Sequence, residues 1–223
     1  YMQYQAALAD DRAFQKRYMA DVPVTDSKFR KQTGTLSTDE GIFPTTAEGL
    51  AKLKPVKEGG TVTFGGQTHP ADGNAGAIVT TRERARAVAT DPGIEIEILG
   101  LGMSRVEAGY MPMAPSPAAF NALKNAGLSI SDVVAIKTHN PFAVNDIALA
   151  RDTGFAWERM NNYGSSIIWG HPQAPTGMRA IIELIEELVL RGGGVGLFTG
   201  CAAGDTGYAT VLRVTDSKTT SKA

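Results

Sequence analysis

The sequence predicts an α/β protein. Strand-like and helix-like hydrophobic patterns alternate from residue 94 to residue 214, and glycine or proline punctuates the joints between them. Hydrophobic residues make up 43% of the 223 positions and charged residues 20%, the balance of a chain that buries a core.

The elements follow in order. Residues 1 to about 20 fit a helix, with Ala6, Ala7, Leu8, Phe14 and Tyr18 recurring at helical spacing. Residues 21 to 60 are polar and turn-rich, with one short helix expected from Thr46, a capping residue, to Leu53 before Pro55. Thr61 to Phe64 and Ala77 to Thr81 are expected as strands, and Arg82 to Thr90 as a helix. Gly65, Gly66, Gly73 and Gly76 between them allow close approach of backbone or ligand. Ile94 to Leu101 alternates as a strand; Pro117 to Ala126 is a helix closed by Gly127. Val133 to Lys137 is a buried strand, followed by a helix from Pro141 to Thr153. Ile167 and Ile168 lie in a short strand or extended stretch. Gly177 to Leu190 is an amphipathic helix, Val195 to Thr199 a strand, residues 207 to 214 a final strand, and residues 215 to 223 a frayed polar tail.

Composition narrows the function. Lysine and arginine number 22 against 23 acids, a net charge of −1, so no basic surface is available for a nucleic-acid backbone. Ile181 to Leu190 is broken by Glu183, Glu186 and Glu187, and no run reaches the roughly 18 apolar residues of a membrane span. Tyr1 to Asp11 lacks the pattern of a signal peptide. One cysteine, Cys201, excludes an internal disulfide and predicts a reducing compartment, the cytoplasm or one such as the mitochondrial matrix.

Two glycine-rich spots fail as phosphate cradles. Gly100-Leu101-Gly102 lacks a third glycine at dinucleotide-binding spacing, and Gly192 to Gly194 sit after a helix instead of before one. The histidines and the cysteine are too scattered for a metal-ligand spacing.

His139, His171 and Cys201, however, all fall in small-residue turns beside strand ends, where ligand sites of open α/β sheets gather. Each alone fits a packing role, and spacing leaves packing and catalysis both open. The chemistry of the trio is coherent: a histidine lowers a nearby thiol's pKa, a thiol moves protons, and imidazole N–H groups stabilise a thioester oxyanion.

At this point the sequence resembles the thiolase family. Gly170-His171-Pro172-Gln173-Ala174-Pro175-Thr176-Gly177 resembles its G-H-P-x-G-x-[ST]-G segment, and Gly200 to Gly207 its C-x-G-G-G-x-G segment. Thr138 to Ala143 resembles the N-E-A-F-A segment, and more closely the H-D-x-F form of sterol-carrier-type thiolases. Gly65 to Ala77 resembles the G-N-A-S-G-x-x-D-G-A-A run, and Thr38 to Glu40 with Leu50 to Pro55 the loop region before it. The sequence departs from the pattern at Ala203 (for glycine), Ala174, Pro175, Pro141 and Gly66.

The resemblance implies a thiolase-like fold, a mixed five-stranded sheet covered by helices, with the C-terminal half complete and the N-terminal half only partly present. It divides the chain into the end of a loop region (1–60), the last strand and helix of the N-terminal half (61–92), the C-terminal half (93–215) and the tail (216–223). It implies that His171 activates a nucleophilic cysteine, that Cys201 is the acid/base at the α-carbon of acetyl-CoA, and that His139 helps form the first oxyanion hole. Thr68, Met111, Phe142, Ala203 and Gly204 would line the substrate, with coenzyme A and acyl-CoA as substrates and no cofactor or metal. The implied reaction is Claisen condensation of acetyl-CoA or thiolysis of 3-oxoacyl-CoA. The nucleophilic cysteine has no counterpart in residues 1–223, so the expectation includes a partner: an N-terminal thiolase polypeptide in a hetero-oligomer built on a thiolase dimer. Two alternatives stay open, a condensing enzyme of the ketosynthase type and a non-catalytic scaffold subunit.

Overall fold

The computed structural model describes residues 1–220. Its centre is a mixed sheet of four strands: β3 (Ile94–Arg105), β4 (Val133–His139), β5 (Gly193–Ala202) and β6 (Thr206–Asp216), in the spatial order β3-β6-β5-β4. β4 and β5 are parallel, while β6 runs antiparallel to both of its neighbours. The α/β class holds. The expected fifth strand is reduced to one parallel bridge, Met160 to Ile136, on the free side of β4, with Asn161 N–H donating to Ile136 O at 2.9 Å.

Side-chain alternation on these strands builds a core on each face. On one face Leu197, Ala209 and Val211 pack with Ala118, Ala119, Ala122 and Leu123 of α4 (Pro115–Ala126). On the other, Phe198, Leu212 and Val214 pack with Ala180, Leu184 and Leu188 of α7 (Thr176–Leu190). The pair Gly100-Leu101-Gly102 is explained by packing: a Cβ on Gly100 would lie 2.5 Å from Ala122 O, so α4 rests directly on the strand backbone. Gly127 ends α4 at φ 68°, the left-handed cap its position predicts.

A peripheral layer precedes the sheet. α1 spans Met2–Arg12, but Ala9 to Asp11 leave helical geometry, so the expected continuous helix over 1–20 is broken. A hairpin, β1 (Val22–Thr25) with β2 (Gln32–Leu36), follows. Then α2 (Ala47–Ala51) begins where Thr46 accepts Gly49 N–H at 3.0 Å. The expected strand at Thr61 to Phe64 is a 3₁₀ turn over Phe64–Gly66. The expected strand at Ala77 to Thr81 pairs with nothing among the described residues; Ile78 is 86% exposed and Val79 75%. A β pattern needs a ladder partner to become a strand. Helix α3 (Arg82–Val88) forms as expected.

After β4, α5 (Ala143–Thr153) ends at Gly154. Ile167 and Ile168, expected as extended, instead lie in the short helix α6 (Ser166–Trp169). β6 runs to Asp216 and Ser217–Thr220 is helical, so the expected tail is structured that far; the rest of that expectation, 221–223, lies outside the described residues.

Candidate active site

His139 ends β4, and in the parallel β4–β5 register it stands opposite Gly200. A Cβ on Gly200 would sit 2.8 Å from His139 Cβ, so only glycine lets the two strand ends close here. Cys201 is the next residue of β5. His171 follows α6 through Gly170, whose φ of 92° and lack of side chain make room for Ala71 and His69. The backbone N–H of His171 donates to His69 O at 2.8 Å. The fold thus brings the two histidine rings to 4.4 Å between centroids, at an interplanar angle of 31°.

Buried partners orient each ring. Nδ1 of His171 lies 2.8 Å from Thr176 Oγ1, the first residue of α7, and Nδ1 of His139 lies 3.0 Å from Ser166 Oγ. Burial lowers the pKa of His139 to about 4, with the neighbouring His171 adding to the effect, and burial lowers that of His171 too. Both shifts favour the neutral imidazole.

Cys201 is a buried free thiol. Burial raises its pKa, and a hydrogen bond from Asn145 Nδ2 at 3.6 Å opposes the rise. A histidine-lowered thiol is therefore not what the surroundings of Cys201 create. A protonated thiol results, suited to giving and taking a proton.

Asn145 also donates to Pro112 O at 3.4 Å and accepts Phe142 N–H at 3.2 Å. It ties the Met111–Met113 turn and the start of α5 to Cys201, which places Met111 and Phe142 in segments adjoining the thiol. Ala203 and Gly204 form the turn between β5 and β6. The left-handed positions there are Gly204 (φ 82°) and Asp205 (φ 57°), so alanine is unstrained at 203. Thr68 N–H donates to Pro141 O at 2.8 Å, and its hydroxyl donates to Ser166 O.

The residues that sequence reasoning missed are the supports: Ser166, Thr176, Asn145 and Asp146. Asp146 accepts from Thr138 Oγ1 (2.7 Å), Asn140 Nδ2 (2.6 Å) and Asn161 Nδ2 (3.1 Å), and burial raises its pKa against those three bonds. His69, the remaining histidine, gives its carbonyl to His171. Among the described residues no group of His, Cys, Asp and Glu has the arrangement of a metal site. No helix there is long and apolar enough to cross a membrane.

Two imidazoles thus stand in ring contact, one of them on a strand end opposite the residue that precedes the buried thiol. Comparison with known proteins gives the site a lineage. Residues 94–214 match the family model described as thiolase, C-terminal domain, and residues 3–83 match thiolase, N-terminal domain. An acetyl-CoA acetyltransferase of Syntrophomonas wolfei is 36% identical over 194 residues, covering 86% of this chain and 48% of that protein. Human mitochondrial 3-ketoacyl-CoA thiolase is 32% identical over 209 residues, covering 93% of this chain and 51% of that protein. In structure, the Bacillus anthracis acetyl-CoA acetyltransferase superposes with a TM-score of 0.83 at 26% identity, over 96% of this chain and 53% of that one. The chain belongs to the thiolase family. It spans about half the length of the curated relatives it matches.

Proposed function

We propose that this chain carries the proton-transfer machinery of a thiolase, moving acyl groups between coenzyme A thioesters. The observation that carries the reading is the close pair His139 and His171 beside the strand end that presents Cys201. In this scheme a cysteine from outside residues 1–223 attacks an acyl-CoA thioester, and His171 takes the proton of that thiol. The thioester carbon expels coenzyme A as thiolate, which takes the proton of the Cys201 thiol and leaves as the free thiol, so that Cys201 is left as thiolate. The Cys201 thiolate then removes a proton from the α-carbon of acetyl-CoA, and the resulting enolate takes the acyl group, releasing the nucleophilic cysteine as thiolate, to which His171 returns the proton. The reverse sequence cleaves 3-oxoacyl-CoA. Thr68, Met111, Phe142, Ala203 and Gly204 are assigned to the pantetheine and acyl group.

The nucleophile is assigned to an N-terminal thiolase polypeptide. Two facts support this: Cys201 is the single cysteine of the sequence, and apolar side chains stand uncovered at Ile78, Val79 and, on the edge strand β3, Leu101 and Met103. Native mass spectrometry of the assembly tests it. A stoichiometric polypeptide bearing a reactive cysteine is expected; a homo-oligomer of this sequence alone that catalyses thiolysis overturns it.

Acetoacetyl-CoA thiolysis by that assembly tests the chemistry. Cys201→Ala is expected to abolish thiolysis, while acyl-enzyme still forms from acetyl-CoA, whose coenzyme A thiolate can take its proton from water; unchanged turnover would reject the role of Cys201. The pairing of two histidines also favours a second reading, a decarboxylating condensing enzyme, which carbon dioxide release from malonyl-CoA would reveal.

A further inference from the structure

We infer that Ser166 is a positioning residue that locks His139 as the Nδ1–H tautomer, leaving Nε2 as a hydrogen-bond acceptor toward the ligand. The inference rests on counting donors and acceptors around one buried hydroxyl. Ser166 Oγ has three neighbours at hydrogen-bond distance: Asn140 N–H (3.1 Å), Asn140 Oδ1 (3.1 Å) and His139 Nδ1 (3.0 Å). A serine hydroxyl owns one proton and two acceptor lone pairs.

The orientation of the Asn140 amide is fixed from both sides. Its Nδ2 donates to Asp146 Oδ2 at 2.6 Å, and its Oδ1 accepts Ile167 N–H at 3.2 Å. Flipping the amide would set NH₂ against that backbone N–H, a donor against a donor, whatever the protonation state of Asp146. Asn140 Oδ1 therefore faces Ser166 as an acceptor, and the serine proton goes to it. Asn140 N–H fills one lone pair of Ser166. The other lone pair is left for His139, which must bring a proton on Nδ1. The opposite assignment sends the serine proton to His139 and leaves two oxygen acceptors facing each other at 3.1 Å, unfavourable in a site this buried. The Thr68 hydroxyl holds Ser166 by its carbonyl, which fixes the cradle further.

Nε2 makes no hydrogen bond within the described residues and is not among the polar atoms sealed from solvent. A neutral ring protonated on Nδ1 presents a lone pair there. That lone pair suits a donor on the ligand, such as a thiol or hydroxyl, and repels an oxyanion. His139 is thereby distinguished from a direct oxyanion-hole donor. The tautomer stands on the hydrogen-bond count; its meaning for a thioester rests on the acyl-transfer reading.

Two-bond ¹H–¹⁵N correlation spectra of the protein labelled at histidine, recorded at pH 7, decide the tautomer without any substrate. The His139 signals are assigned by their loss in His139→Asn. The expected spectrum has Nε2 as the downfield, unprotonated nitrogen and Nδ1 as the protonated one; the reverse order overturns the inference. Ser166→Ala is expected to release the lock and move the two ¹⁵N shifts toward each other, and unchanged shifts in a folded variant overturn the role of Ser166. Ser166→Thr keeps the hydroxyl and is expected to keep the wild-type order. If Ser166→Ala does not fold, the wild-type and Ser166→Thr spectra still decide. Failure of the thiolysis assay with this spectrum intact would count against the acyl-transfer reading alone.

Discussion

The hydroxyl of Thr176 lies 2.8 Å from Nδ1 of His171, so the first residue of the longest helix in the chain holds one catalytic candidate in place. The arrangement joins two structural scales. α7 is fixed by its apolar face against the sheet, and that rigidity passes to the ring through one hydrogen bond.

Thr176→Val keeps the shape and deletes the bond. A neutral hydrogen bond contributes about 0.5–1.5 kcal/mol, so kcat/KM for acetoacetyl-CoA thiolysis is expected to fall about 2- to 13-fold. The far-UV circular dichroism should not change. A variant with wild-type kcat/KM would show that Thr176 does not orient the ring.

The depressed pKa of His139 carries a stability signature. Its folded value is about 4 against 6.5 for a free histidine, so between those values the unfolded chain binds more protons than the folded one. The stabilisation is present above pH 6.5 and is lost as the pH falls through 4, amounting to about 3 kcal/mol at the most. Asp146 opposes this trend: its raised carboxyl pKa favours the folded state at low pH and loses that contribution as pH rises through the folded value. Urea unfolding of the wild type should show lower stability at pH 5 than at pH 7.5. In His139→Asn the difference should shrink; an equal difference would place the effect elsewhere.

Asn145 sets the thiol's surroundings. Asn145→Ala removes the N–H that faces Cys201 Sγ, and the pKa of the thiol should rise further. Iodoacetamide labelling of Cys201 followed against pH should then show its midpoint displaced upward and its rate at pH 7.5 reduced. The same variant loses the bond to Phe142 N–H at the start of α5, a helix-cap loss of about 1 kcal/mol. Rates are therefore compared in conditions where both proteins are folded.

Legibility in the sequence follows how local each signal is. The helix ending at Gly127 and the strands β3 to β6 were readable because periodicity and a left-handed glycine are local facts. His139, His171 and Cys201 stood out as rare side chains in small-residue turns. Ile78 and Val79 carried a strand pattern with no ladder among the described residues to realise it. Ile167 and Ile168 form too short an apolar run to separate helix from strand, and Ser166 beside them gave no signal at all. A single polar residue acquires a role only when the fold brings its partners together: Ser166 meets His139 across 27 positions of sequence, and Asn145 meets Cys201 across 56.

The same holds for a buried charge network that periodicity could not announce. Lys137 Nζ lies 2.8 Å from Glu183 Oε2, with both side chains 1% exposed, and donates to Gly164 O at 2.7 Å. Glu183 Oε1 accepts from Tyr18 Oη (2.7 Å) and Arg179 Nε (3.0 Å). The Arg179 guanidinium grips both oxygens of Asp39 and lies 4.1 Å from the Trp169 ring centroid. The peripheral layer is thus joined to α7 and to the segment leading into His171 by the largely shielded Arg179–Asp39 pair, and through Glu183 to the buried Lys137. Removing one member of a buried pair leaves the other uncompensated, at a cost of about 3–5 kcal/mol, whereas replacing both with apolar groups of similar volume is often neutral. Lys137→Met is expected to lower the urea midpoint sharply. Lys137→Met with Glu183→Leu should recover much of the loss, though not all, because Tyr18 and the Arg179 Nε lose an acceptor. A double variant no more stable than Lys137→Met alone would mean that the lysine contributes through its bond to Gly164 and its packing, and not through the charge of Glu183.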